Sequence, residues 1–82
     1  MSTYKGKNCK GFDFTGTNLK GFNFEEANCE GANFTNCNLQ KANFRNANLL
    51  HAKFDGADLR GAIMPDGKVV NDYGDIVDPD NN

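Results

Sequence analysis

Residues 32–54 read ANFTNCNLQKANFRNANLLHAKF, one five-letter phrase repeated with small changes. A large apolar residue returns every fifth position, whereas a helix calls for a period near 3.6 and a strand for 2. Worked outward, the recurring residue gives thirteen centres without an insertion: Tyr4, Cys9, Phe14, Leu19, Phe24, Cys29, Phe34, Leu39, Phe44, Leu49, Phe54, Leu59 and Met64. Two positions before each centre lie Ala27, Ala32, Cys37, Ala42, Ala47, Ala52, Ala57 and Ala62, preceded by the bulkier Phe12, Thr17 and Phe22. The position between is Asn or Asp in ten of the thirteen pentads, and seven of the nine glycines fall two residues after a centre.

A step of five residues on a helix turns about 140° beyond a full circle, so the apolar groups would visit every face and form no stripe. On one continuous strand five is odd, and successive centres would point to opposite sides. What remains is a short extended piece, with the centre and the residue two before it facing the same way, followed by a corner. Gly tolerates positive φ and Asn or Asp bonds nearby backbone, so the corner chemistry agrees. The chain must coil around its own apolar residues.

The size of the coil follows from which period stacks like on like. Fifteen residues would pile Cys9, Phe24, Leu39 and Phe54 into a mixed column. Twenty gives Phe14/Phe34/Phe54, Leu19/Leu39/Leu59, Tyr4/Phe24/Phe44/Met64 and Cys9/Cys29/Leu49. Ten stacks as cleanly, but a two-sided coil leaves no room for two facing Phe. Surface charges do not choose, since Lys10/Glu30 and Glu25/Arg45 pair at twenty while Lys10/Glu25 and Glu30/Arg45 pair at fifteen.

The phrase A(N/D)(L/F)xx, as in ANFTN, ANLLH and ADLRG, closely resembles the pentapeptide-repeat proteins over residues 2–66. The resemblance implies an all-β fold, a right-handed quadrilateral β-solenoid of four pentads per coil and about three coils. It places Phe14, Leu19, Phe24, Cys29, Phe34, Leu39, Phe44, Leu49, Phe54 and Leu59 in the core. Lys53 and Ile63 depart from it at the Asn/Asp position, and Phe12 and Phe22 at the alanine position, which suggests a wider, plugged first coil. Solenoid ends need covering. Phe12, Phe22 and Tyr4 are expected to cover one end. At the other, Met64-Pro65-Asp66-Gly67 leaves the frame, and residues 67–82 are expected to form an acidic cap in which Val69, Val70, Tyr73, Ile76 and Val77 fold over the last coil, with 78–82 frayed.

Composition bounds the function more than it defines it. Eighty-two residues make one small domain, and the apolar share with glycine is ordinary for a folded chain. The strict frame also argues against reading the thirteen Asn as a prion-like segment. Residues 1–64 carry eight Lys/Arg and six Asp/Glu, while 65–82 carry one Lys and five Asp. That balance makes no dense basic stripe, so no nucleic-acid partner is expected. Cys9, Cys29 and Cys37 have spacings of 20 and 8, which fit neither a disulfide framework nor a zinc site, so free buried thiols are expected. No apolar stretch suits a leader or a membrane span, and a cytoplasmic protein is expected.

The catalytic inventory is thin. His51 is the sole histidine and falls at an outward position with no nucleophile beside it. Asp72, Asp75, Asp78 and Asp80 lack the calcium-loop signature, and Asn33-Phe34-Thr35 matches a glycosylation pattern at a frequency chance explains. No enzyme, cofactor or metal is therefore expected. The leading reading is a non-catalytic scaffold that binds another protein through flat outer faces, as a monomer or end-to-end dimer, with candidate contacts at Glu25, Glu26, Lys41, Arg45 and Arg60. The alternative, implied by resemblance to gyrase-protecting members of the family, is a DNA mimic acting on a topoisomerase. A mimic needs a continuous acidic surface, and the coils here are net +2 by the counts above.

Overall fold

The computed structural model describes residues 2–80. Parallel bridges join residues twenty apart throughout: Thr3 to Asn23 to Asn43 to Ile63, Asn8 to Asn28 to Asn48, Asp13 to Asn33 to Lys53, and Asn18 to Asn38 to Asp58. These four ladders are the four sides of a β-helix with one pentad per side. The period of twenty is the one that stacks like on like.

Phe14 shows how a side is held. Its N–H donates to the Asn33 carbonyl at 2.8 Å, Gly16 N–H donates to Thr35 O at 2.9 Å, and Asn33 N–H returns to Phe12 O at 2.8 Å. The corner closes when Thr17 N–H donates to Phe14 O at 2.9 Å, with Gly16 at φ 71°. A four-residue turn with positive φ at its third residue is of type II, which is why glycine recurs there. Glu26, Asn36, Lys41, Asn46 and His51 occupy the same corner position with φ between 59° and 62°. A side chain is thus tolerated there at a cost. A Cβ built on Gly16 would meet nothing within 4 Å, so Gly16→Ala isolates the backbone penalty. Thermal or urea unfolding of that variant should show a loss of about 1–2 kcal/mol.

The Asn/Asp position completes each corner. Its side-chain oxygen accepts the N–H two residues on, as in Thr15 N to Asp13 Oδ1 at 3.0 Å, Glu25 N to Asn23 Oδ1 at 2.8 Å and Arg45 N to Asn43 Oδ1 at 2.9 Å. Lys53 has no oxygen to offer, and nothing in the structure explains its presence. Lys53→Asn should restore the bond to Asp55 N–H and raise stability by about 0.5–1.5 kcal/mol in a urea titration.

Inside, the columns become two aromatic ladders. Tyr4, Phe24 and Phe44 stack at 5.2 and 5.0 Å with ring planes within 10°, and Phe14, Phe34 and Phe54 stack at 5.1 Å with planes 9° apart. The ladders meet edge to face, Phe24 on Phe34 at 87° and Phe34 on Phe44 at 82°. The stacking distance matches the spacing of neighbouring strands, so the backbone ladder sets the ring ladder. Phe24, Phe34, Phe44, Leu39, Cys9 and Cys29 are wholly buried, with Phe14 and Leu19 nearly so.

The ends differ from the expectation. Leu49, Phe54 and Leu59 are half-buried because no coil lies above them. Phe22 stacks beside Tyr4 and Phe24, but Phe12 is 46% exposed and its ring meets the column at Phe14, 5.8 Å away. The first coil is not plugged by two phenylalanines, since its alanine position lies too near the open end to enclose the second.

Beyond Gly67 the chain turns back as an antiparallel hairpin of β1 (Val69–Val70) and β2 (Ile76–Val77). Asn71 Oδ1 accepts from both Tyr73 N–H and Asp75 N–H, and Gly74 takes φ 83°, which makes the tight reversal. The hairpin does not lie flat across the coil end. Val69 bridges Ile63 antiparallel, Val70 is buried, and Tyr73 and Ile76 stand 91% and 58% exposed. The free edge on the first side of the last pentad drew the hairpin into backbone pairing, which carries Tyr73 and Ile76 past the core they were expected to cover. At the terminus Asp78 accepts Asp80 N–H, while Asn81 and Asn82 lie outside the described residues.

Candidate interaction face

One side of the rod is unlike the other three. Its ladder runs Thr3, Asn23, Asn43, Ile63, and then continues through Val69 and Val77 of the hairpin, giving six rungs where the other sides have three. Rung partners share a side of the sheet, so Ile63, Val69 and Val77 all point outward. The face is therefore polar over its first half and aliphatic over its last. This accounts for Ile63, which departs from the Asn/Asp rule to pack outward against Val69.

The margins of this face are the corners at either side, and they hold all five candidate contact residues. On one margin Glu26 N–H donates to Arg45 O at 2.9 Å, placing Glu25, Glu26 and Arg45 in one column. On the other Lys41 N–H donates to Arg60 O at 3.0 Å.

Charge alternates down the first margin. Lys5 Nζ lies 3.7 Å from Glu25, and Arg45 Nη1 reaches instead towards the exit turn, where a Cβ on Gly67 would lie 3.6 Å away. Among the described residues neither Lys10/Glu30 nor Glu25/Arg45 forms an ion pair. On the second margin Arg60 Nη2 and Nε bind Asp58 at 2.6 and 2.9 Å, and Gln40 Nε2 donates to the same carboxylate at 2.6 Å. The Arg60 and Gln40 donors hold the Asp58 carboxyl well below the usual carboxylate range. Its stabilising bonds are present above the ordinary aspartate pKa and weaken only as pH falls far below it.

The remaining chemistry is internal. Cys37 Sγ donates to Phe14 O at 2.9 Å. Burial raises the Cys9 thiol, and burial together with its neighbour Cys9 pushes Cys29 up to about 12. All three cysteines are free and buried. Thiolate is scarce at neutral pH and the sulfurs are covered, so a thiol reagent should label none of the three until denaturant is added. Above about pH 9 the unfolded chain ionises its thiols first, so holding them protonated in the core lowers stability as pH rises towards 12. His51 is exposed at a corner with φ 62°. Among the described residues no group of three His, Cys, Asp or Glu converges for a metal, and no helix is long and apolar enough to cross a membrane.

A chain wound in twenties through turn-closed pentads, with polar side chains returned to their own backbone, is a repeat β-helix. The family model of pentapeptide repeats matches eight copies over residues 27–64, the part in which small residues hold the inward position without exception. Residues 27–64 thus match pentapeptide repeats, and the chain is similar to the pentapeptide-repeat proteins. Similar solved structures include the pentapeptide repeat protein Rfr23 of the cyanobacterium Cyanothece 51142, at 28% identity and TM-score 0.72 over 76% of this chain and 43% of that one. HetL of Nostoc sp. PCC 7120, described as involved in heterocyst differentiation regulation, is 28% identical over 82% of this chain and 36% of its own, with TM-score 0.37. A pentapeptide repeat protein from the Arabidopsis thaliana thylakoid lumen is 30% identical over 73% of this chain and 46% of its own, with TM-score 0.44. The chain spans less than half the length of each. No curated protein matches it.

Proposed function

We propose that this chain is a non-catalytic, cytoplasmic interaction scaffold: a right-handed rod of just over three coils, capped on one side by its hairpin, that holds another protein on the extended face. The observation that carries the reading is the six-rung ladder, the longest among the described residues, polar at one end, aliphatic at Ile63, Val69 and Val77, and charged along both margins. A flat sheet with fixed charges at its edges positions a partner without reorganising. The absence of an acidic run disfavours DNA mimicry, because Lys5, Glu25 and Arg45 alternate down one column. Three carboxylates at Glu25, Glu26 and Glu30 do not imitate a duplex bearing one charge per ~1.7 Å.

The test is affinity capture with the whole chain against a double variant, Ile63→Asn with Arg45→Glu. A stoichiometric partner held by the first and lost by the second supports the face. Retention by both moves the contact elsewhere, and inhibition of gyrase supercoiling at micromolar protein would favour the mimic instead.

A further inference from the structure

The C-terminal end of the rod is closed on one side only. There Gly61 N–H donates to Val70 O at 2.6 Å, Val70 N–H to Ala62 O at 2.9 Å and Met64 N–H to Lys68 O at 2.7 Å. On the other three sides, the carbonyls of Ala47, Ala52 and Ala57 and the N–H groups of Leu49, Phe54 and Leu59 have no backbone partner among the described residues. One coil lower the same pair of groups grips a single residue of the coil above: Asp58 donates to Cys37 O at 3.0 Å and accepts from Leu39 N–H at 2.8 Å. Ala57 O and Leu59 N–H repeat that two-point clamp with nothing in it.

Beside this clamp runs a groove of about 410 Å³ between the last coil and the hairpin, lined by Leu59, Met64, Val70, Tyr73 and Ile76 with Asp58, Arg60 and Asp72 at its polar edge. Tyr73 and Ile76 stand over it largely uncovered. Arg60 is bound to Asp58, and Asp72 lies near enough to feel the guanidinium charge but forms no ion pair among the described residues. Residues 65–80 carry five Asp against Lys68.

We infer that this edge takes an extended, basic segment of a partner protein as an added parallel strand. The inference rests on the scaffold reading above and gives it a second, specific site. One residue of the segment fills the clamp of Ala57 and Leu59, its side chain pointing outward as Asn38 and Asp58 do on the rungs below. Its neighbours on either side point inward, over Leu59 and against Tyr73 and Ile76. The segment therefore alternates aliphatic with Lys or Arg, with a cation matched to Asp72. A second copy does not fit as a whole coil, because the hairpin already occupies the fourth side that its first coil would need.

Fluorescence anisotropy of the whole protein with a labelled octapeptide alternating lysine with valine or isoleucine tests this. An equally long peptide carrying glutamate in place of lysine is the control. The lysine peptide should bind, the glutamate peptide should not, and both Asp72→Lys and Ile76→Glu should weaken binding at least tenfold. These positions are exposed, so circular dichroism should be unchanged. Amide exchange at Leu59 should slow when the peptide is bound. No binding, binding indifferent to the two variants, or protection away from Leu59 overturns the inference, as does concentration-dependent self-association that the peptide does not compete away. A stoichiometric partner retained equally by wild type, Asp72→Lys and Ile76→Glu would remove this site and leave the scaffold reading intact, whereas the scaffold reading itself fails if no partner is found or if gyrase supercoiling is inhibited.

Discussion

Phe34→Ala is expected to cost about 3–5 kcal/mol in equilibrium unfolding, whereas Thr35→Ala, one residue on, should cost under about 0.5 kcal/mol. Phe34 is wholly buried and touches four rings: Phe14 below and Phe54 above in its own stack, and Phe24 and Phe44 edge-on from the other. Its removal opens a cavity that cannot collapse, because the backbone rungs on either side are fixed by Phe34 N–H to Lys53 O at 2.7 Å and Asn33 N–H to Phe12 O at 2.8 Å. Thr35 is the outward residue of the same corner, and its N–H is satisfied by Asn33 whatever its side chain. Equal losses at the two positions would contradict the inward and outward assignment of the whole frame.

The second large effect is on association. Without residues 67–82, Gly61 N–H, Met64 N–H and Ala62 O lose their partners, and the C-terminal end presents unpaired groups on all four sides. The first coil of another copy offers their complement, since the carbonyls of Asn8, Asp13 and Asn18 are unpaired among the described residues. With the steric stop of the hairpin gone, copies can stack head to tail in the register they already use internally. Such contacts do not close, so species larger than dimers are expected. Gel filtration of residues 1–66 should show size rising with concentration, beside a full chain that elutes at a smaller, constant size. A truncated chain that stays monomeric and as stable as the whole would remove the hairpin's role as a stop.

The solenoid was legible because its physics is periodic. Thirteen centres at one spacing exclude helix and strand together, and the requirement that Phe lie on Phe and Leu on Leu selects twenty over fifteen. Once the frame is set, it assigns positive φ even to Glu26, Lys41 and His51, whose residue types alone give no such hint. Where periodicity ends, the reading weakened. The tail's apolar content suggests a lid, but pairing of a strand edge outweighs covering the core, and Tyr73 and Ile76 remain outside. A signal is present: Val69-Val70 and Ile76-Val77 flank Asn71-Asp72-Tyr73-Gly74-Asp75, two β-branched pairs around turn residues.

The candidate surface was legible residue by residue but not as a surface. Glu25, Glu26, Lys41, Arg45 and Arg60 stand out as charges on outward positions. That they border one face follows from the period of twenty, but that this face is the extended one follows only from the hairpin. Ile63 is the instructive case, an exception to the Asn/Asp rule in sequence and the junction of coil and hairpin in structure. Its outward packing on Val69 needed the antiparallel rung that no five-residue period predicts.

The central claim is that the chain closes a coil every twenty residues and that the hairpin continues one side of it. Nuclear Overhauser contacts between backbone protons measure this directly. The account predicts cross-strand contacts linking Asn23 with Asn43, Asn28 with Asn48 and Asn33 with Lys53, together with a contact between Ile63 and Val69 in antiparallel register. Contacts between residues fifteen apart, or a hairpin with no contact to Ile63, would contradict it.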